Sequence, residues 1–204
     1  DAVTAKKYLT IAKDKALKLQ RLIEEFFDVT RLTFQQVKLN LQPVDVGCML
    51  VQLSDEAYPM ANAAGMTIRL SVQSEPIMVN ADPDKLARAL QNLLRNAVSY
   101  GQKGDILISA HQGEKQCALS FSNRGQVPEE ELERFFERFY RGDPSRGSAP
   151  NGNNTGGAGL GLVIARDIIR LHGGSLSASC QDGQITFRVL LPIFGERQRE
   201  KQSE

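Results

Sequence analysis

The chain is 204 residues long, 41% hydrophobic and 24% charged, with 25 basic against 24 acidic side chains and a formal net charge of +1. That length can bury one sizeable core, or one core and a helical appendage, and so even a charge gives no electrostatic case for nucleic acid or an anionic membrane surface. Cys48, Cys117 and Cys180 are widely spaced and odd in number, which argues against a disulfide framework and fits a reducing cytoplasm; no apolar run approaches the ~18 residues of a membrane span, and no signal-peptide pattern opens the chain.

From Asp1 to about Val37, Leu9, Ala12, Ala16, Leu19, Ile23, Phe26 and Thr30 step by three and four, with Leu22, Val29 and Leu32 widening the stripe. This is a long helix that opens in mid-pattern without an initiator Met, as a piece of a longer protein would. Its apolar seam needs a partner: a second copy, a segment absent from this chain, or the domain that follows. Gln42-Pro43 ends it, because the residue before Pro is pushed out of the α region. Val44 to Val46 then reads as a short strand, Cys48 to Ala64 as a helix, and Met66 to Val72 and Ile77 to Val79 as strands.

Asp82 to Tyr100 is a helix with a strong start: Asp82 suits the N-cap, Pro83 the first helical position and Asp84 the positive end of the dipole. Leu86, Leu90, Leu93, Leu94 and Ala97 form its apolar stripe. The opposite face carries Lys85, Arg88, Asn92, Arg95, Asn96 and Ser99, so two amides lie one turn apart among basic and hydroxyl groups. Asn is a poor helix former. This face is either simply solvated, or its amide oxygens serve a hard cation such as Mg²⁺ that arrives on a polyphosphate.

Ile106 to Ala110 and Cys117 to Ser122 read as a hairpin turning at Gln112-Gly113-Glu114, and Glu129 to Glu131 opens a short helix after Pro128. Residues 142–157 are rich in Gly, Asn, Ser and Pro and can build no core; a loop this long is a lid, expected to be mobile when empty, or a connection. It runs into Gly-Gly-Ala-Gly-Leu-Gly-Leu (156–162) and a helix from Leu160 to His172 closed by Gly173-Gly174. Leu176 to Cys180 and Ile185 to Leu191 make a last hairpin around Asp182-Gly183.

Three constellations carry chemistry. Gly159 and Gly161 stand where a loop becomes a helix, either as a hinge or as a phosphate cradle in which bare glycines let N–H groups approach closely. Ser122-Asn123-Arg124-Gly125 is a polar turn at a strand end, where Asn123 can accept from a purine amino group and Gly125 can let a flat base lie against the backbone. Phe135 to Arg141 is the packed end of an amphipathic helix, or a set of aromatics that anchor the lid beside arginines able to reach phosphate oxygens.

The order Asn helix, Asn-x-Gly turn, Phe-Glu-Arg-Phe run, Gly-rich lid and Gly-x-Gly-x-Gly helix start resembles the catalytic ATP-binding domain of bacterial sensor histidine kinases, in the superfamily that also holds gyrase-type ATPases and MutL. The resemblance covers roughly Pro43 to Pro192. Phrases such as Asp-Pro-Asp-Lys-Leu-Ala-Arg and Asn-Thr-Gly-Gly-Ala-Gly-Leu-Gly-Leu are most similar to the vancomycin-resistance branch of that family. It implies an α/β (α+β) two-layer sandwich of the Bergerat type, a mixed and mostly antiparallel sheet with three helices. It also implies the division 1–41, second helix of a dimerisation hairpin; 42–195, catalytic domain; and 196–204, charged tail.

The resemblance further implies roles. Asn96 is the Mg²⁺ ligand, and Asn92, Arg138 and Arg141 stand at the transferring phosphate. Tyr100, Asn123, Gly125, Val127, Phe136, Gly157, Gly159, Leu160, Gly161 and Leu162 line the ATP site, and Thr186 holds the base through water. The implied activity is transfer of the γ-phosphate of Mg·ATP to a His on a separate dimerisation helix and thence to an Asp of a response regulator, in a homodimeric sensor reaching the membrane only through segments absent here. The gene expression it would control is that of antibiotic resistance. The alternatives are a gyrase-like ATPase switch, disfavoured because Leu86 to Asn92 holds no acidic base, and a nucleotide-binding pseudokinase or dimerisation module.

Three departures stand out. Asn123 replaces the family's Asp, so its bond to the base is weaker. Ser99 replaces a basic residue, which leaves Arg88, Arg95, Arg138 or Arg141 to compensate. The phosphoacceptor segment is missing, since His111 and His172 lie in a hairpin and at a helix end.

Overall fold

The computed structural model describes residues 2–33, 38–140 and 159–194. Helix α1 (Ala2–Thr33) is followed by β1 (Gln42–Asp45), α2 (Val46–Ala63), β2 (Met66–Val72), β3 (Met78–Ala81) and α3 (Pro83–Tyr100). Next come β4 (Gly104–Gln112), β5 (Gln116–Arg124), the single turn α4 (Glu129–Leu132) running into a 3₁₀ turn (Glu133–Phe136), α5 (Gly161–Leu171), β6 (Ser175–Gln181) and β7 (Gln184–Pro192). The expected lid at 142–157, with Arg141 before it and Gly157 within it, and the tail at 196–204 lie outside the described residues.

Side chains alternate along the strands, so each strand offers one apolar face. Ile106, Ile108 and Ala110 of β4, Cys117, Leu119 and Phe121 of β5, and Ile185, Phe187, Val189 and Leu191 of β7 are all buried. They pack in one core with Leu50 and Leu53 of α2, the Leu86, Leu90, Leu93, Leu94 and Ala97 stripe of α3, and Ile164, Ile168 and Ile169 of α5. The five-stranded sheet runs β2-β4-β5-β7-β6, parallel at β2-β4 and antiparallel elsewhere. Its other face is laid with hydroxyls that bond across strands, Ser109 to Ser120 at 2.7 Å and Ser122 to Thr186 at 2.8 Å. A sheet with one apolar and one polar face, covered by helices on the apolar side, is the expected two-layer α+β sandwich.

A smaller antiparallel pair, β1 with β3, is extended by the end of the chain, where Ile193 bridges to Val79 and the Phe194 N–H donates to the Met78 carbonyl at 2.8 Å. The strand expected at Val44 to Val46 stops one residue early, because the Asp45 carboxylate accepts from Gly47 N–H at 2.9 Å and starts α2. Asp182 (φ 51°) and Gly183 (φ 71°) turn the last hairpin in the left-handed conformations that match strand twist. Helix α1 touches α5 yet keeps Tyr8, Leu9, Leu19, Phe26 and Phe27 exposed, Leu9 at 70%. Among the described residues no helix is long and apolar enough to cross a membrane.

Candidate functional site

Helices α3 and α5 lie side by side, and the contact between them gathers the polar groups. Asn92, half-buried on α3, donates its Nδ2–H to the Gly161 carbonyl at 3.1 Å, the first residue of α5. A Cβ on Gly161 would sit 3.7 Å from Asn92 Cγ, so the helix start approaches the amide at van der Waals distance. One turn on, Asn96 is half-buried, and its side chain makes no hydrogen bond with the described residues. Its neutral amide oxygen is a hard donor that fits Mg²⁺ already carried by phosphates, since it adds a ligand without anionic repulsion. Arg88 and Arg95 are half-buried on the same helix, Arg138 is exposed beyond the 3₁₀ turn, and each has an interaction of its own.

The start of α5 is open. Leu160, its N-cap residue, is buried and supplies no side-chain acceptor, and among the described residues nothing accepts from the N–H groups of Gly161, Leu162 and Val163. Gly159 just before it has φ +75°, and a Cβ there would meet the Tyr140 carbonyl oxygen at 2.6 Å. That glycine therefore serves the close approach of two chain segments, the Phe-Glu-Arg-Phe run and the helix start. Phe139 itself takes a left-handed φ of 63°, strained for an aromatic residue, which redirects the chain there.

Phe136 is buried edge-on against Phe187, with centroids 6.5 Å apart. Arg166, on α5, holds it from the other side: its Nη2 donates to the Phe136 carbonyl at 2.9 Å and its guanidinium lies 5.3 Å from the ring centroid. Burial, followed by the charge of Arg170, lowers the Arg166 pKa. Its Nε has no partner among the described residues. Tyr140 donates its hydroxyl to Glu131 at 3.0 Å, and burial and then that carboxylate raise the phenol's pKa.

At the far end of α3, Asn123 is buried on the inner face of β5 and donates its Nδ2–H to the Arg124 carbonyl at 3.1 Å. That bond orients the amide and leaves its oxygen as an acceptor, and an Asp could not make it. Gly125 lies against Ile185, whose Cδ1 is 2.7 Å from where a Cβ would be, and Val127 packs half-buried on the core. Tyr100 is partly exposed where α3 ends.

Thr186 is not brought to this group. The register pairs Asn123 with Ile185 and Ser122 with Thr186, so Thr186 points to the opposite face of the sheet from Asn123, bonded to Ser122. The residue of the last hairpin that faces the Asn123 turn is Ile185. Sequence reasoning also missed Gly101, whose Cβ would strike the Ala97 carbonyl and lie 2.9 Å from Asn123 Nδ2. Its one signal was a glycine closing the Asn helix, which reads as an ordinary cap. Arg166 and the pair Asp82 and His172 were missed as well, because their partners lie far away in the chain.

Residues 81–194 match the family model of histidine kinase-, DNA gyrase B-, and HSP90-like ATPases. The chain is 42% identical over 189 residues to the sensor protein VanS of Enterococcus faecium, covering 92% of this chain and 48% of that protein. It is 37% identical over 187 residues to the sensor protein VanSC of Enterococcus gallinarum, covering 91% and 50%. It thus spans about half the length of the curated relatives it matches. Among solved structures, full-length ShkA in complex with AMPPNP superposes with a TM-score of 0.79 at 26% identity, over 92% of this chain and 38% of that one. The five-stranded sheet, the amide helix tied to an open glycine helix start and these matches agree: the chain belongs to the family of histidine kinase-, DNA gyrase B-, and HSP90-like ATPases.

Proposed function

We propose that this chain is the ATP-binding kinase domain of a sensor histidine kinase, and that it presents the γ-phosphate of Mg·ATP to a His of a separate helix, from which an Asp of a response regulator receives it. The observation that carries the reading is the Asn92 to Gly161 bond, which sets the amide face of α3 against an uncapped helix start. Phosphate oxygens suit the N–H groups of Gly161, Leu162 and Val163, which nothing among the described residues caps. Asn96 would ligate Mg²⁺, which when bound neutralises charge on the transferring phosphoryl group. The base would lie by Asn123 and Gly125, toward Tyr100 and Val127. Catalysis then rests on alignment, with no general base from this chain. Likeness to a protein solved with AMPPNP supports the nucleotide, and likeness to VanS and VanSC supports a role in vancomycin-resistance signalling.

In the same reading, 1–41 belongs to a dimerisation hairpin whose missing helix, in one protomer or its partner, covers the exposed Leu9, Leu19, Phe26 and Phe27. Calorimetric titration with a non-hydrolysable ATP analogue, with and without Mg²⁺, tests the site. Saturable binding that tightens with Mg²⁺ and drops at least about tenfold in Asn96→Ala is expected, a ligand's share of a charged site. Absence of saturable binding would sink the kinase reading. If binding is found, label transfer from ATP to an added His-bearing helix tests the reaction.

A further inference from the structure

Two buried titratable groups stand apart from the candidate site, and the geometry joins them to it. Asp82 is 3% exposed and His172 2% exposed, and they lie 90 residues apart in sequence. The Asp82 backbone N–H donates to His172 Nε2 at 3.0 Å, and His172 Nδ1 lies 2.8 Å from the Ile168 carbonyl. A backbone N–H can only donate and a carbonyl can only accept, so the ring is neutral with its proton on Nδ1. The Asp82 carboxylate accepts from Lys85 N–H at 3.1 Å, from Lys85 Nζ at 2.8 Å and from the Asn40 N–H at 3.0 Å.

These bonds form the second of two clamps between α3 and α5. The first, Asn92 to Gly161, lies at the candidate site. The second joins the N-cap of α3 to the C-cap of α5. Counting along either helix at 1.5 Å per residue, the clamps are about 15 Å apart on α3 and about 16 Å apart on α5, so the two antiparallel helices are held in register at both ends of the shared stretch. With only the near clamp, α5 could pivot about it, and its open N–H groups would swing with it. The far clamp also receives Asn40, in the segment between α1 and β1.

We infer that His172 is a positioning residue for the nucleotide: by accepting the Asp82 N–H it fixes the angle of α5 on α3, and through the Asp82 carboxylate it ties that angle to the segment leading from α1. The affinity arm of the inference rests on the nucleotide reading above. His172→Asn keeps a donor for the Ile168 carbonyl but is too short to reach Asp82, whereas His172→Gln carries an acceptor to about the reach of Nε2. Binding of the ATP analogue with Mg²⁺ is measured by calorimetry well below the melting temperature of each folded variant. Beside it, amide hydrogen exchange is followed at Ile164, whose N–H closes the first turn of α5, and at Asn40 and Asp82.

Binding weaker by at least about tenfold in His172→Asn, with His172→Gln within about threefold of the parent, is expected for a sub-ångström misplacement of the helix start. Faster Ile164 exchange in His172→Asn without nucleotide, and slower Asn40 and Asp82 exchange in the parent with nucleotide, are expected alongside it. A purely structural histidine would lower the melting temperature of both variants and leave the affinity of the folded protein unchanged, and that result overturns the inference. Equal losses in Asn and Gln variants overturn it too. If the parent binds no nucleotide, the nucleotide reading falls by itself. The clamp is then judged on Ile164 exchange: acceleration in His172→Asn but not in His172→Gln upholds it, and any other pattern overturns it.

Discussion

Helices α3 and α5 start in contrary ways although they pack against each other. The α3 start is closed: the Asp82 carboxylate caps Lys85 N–H, holds the Lys85 ammonium and takes a third donor from Asn40. The α5 start is open: Leu160 caps nothing, glycines flank it, and an amide side chain approaches its first carbonyl. A start capped by a carboxylate gives a donor to the fold and sets a negative charge where an anion would have to sit, whereas a start without a side-chain cap keeps its donors for a ligand. The difference separates the scaffold from the site within one helix pair.

Breaking the open start has the largest expected effect. Gly159→Ala must strain a φ of +75° and push a methyl against the Tyr140 carbonyl. A loss of about 1–3 kcal/mol in unfolding free energy is expected, from thermal or urea melts, with nucleotide-analogue affinity down by about a hundredfold as the helix start moves.

Breaking the closed start should cost stability and leave a pH signature. Burial pushes the Asp82 carboxyl up, but the hydrogen bond from the Lys85 side chain, those from the Asn40 and Lys85 N–H groups, and the Lys85 charge outweigh it and hold the pKa at about 2, below the ordinary 3.8 of an Asp carboxyl. A lowered folded-state pKa gives stability that is fully present above the unfolded value and is lost as pH falls through the folded one. The parent should therefore lose about 2 kcal/mol between about pH 4 and pH 2 from this group. Asp82→Asn should be weaker near neutrality and lack that component, and superimposable acid melts of the two proteins would refute the assignment.

The smallest effect sharpens the contrast between site and scaffold. In Gly125→Ala the added methyl meets only the end of the Ile185 side chain, which can turn away. A stability change below about 1 kcal/mol is expected in melts, with a few-fold loss of affinity for an adenine nucleotide and no change for inorganic triphosphate.

Much of this was written locally. The Leu86, Leu90, Leu93, Leu94 and Ala97 stripe, the Asp82 cap and the Asp182-Gly183 turn were legible because each depends on residues within a few positions of itself. Thr186 was not. Its strand was legible, but which of its faces meets the Asn123 turn depends on the register of β5 on β7, and a shift of one residue exchanges the faces. Gly101 stands at the end of the Asn helix, where a Cβ would strike the Ala97 carbonyl of that same helix, but the approach of Met66 and Asn123 that closes the remaining space comes from distant parts of the chain. His172 read as a helix end as well, with no sign in its neighbours that it accepts a hydrogen bond from Asp82.

The sequence by itself determined the helices, the strands, the apolar faces and the order of the amide, aromatic and glycine segments, because period, caps and turn residues act over a turn or two of chain. Only the tertiary structure decided that Asn92 meets Gly161, that Arg166 holds Phe136 and that Asp82 and His172 close the far end of the helix pair. Those contacts join residues 69, 30 and 90 positions apart. Such distances are bridged when the sheet and its helices bury one shared core, and no local pattern encodes them.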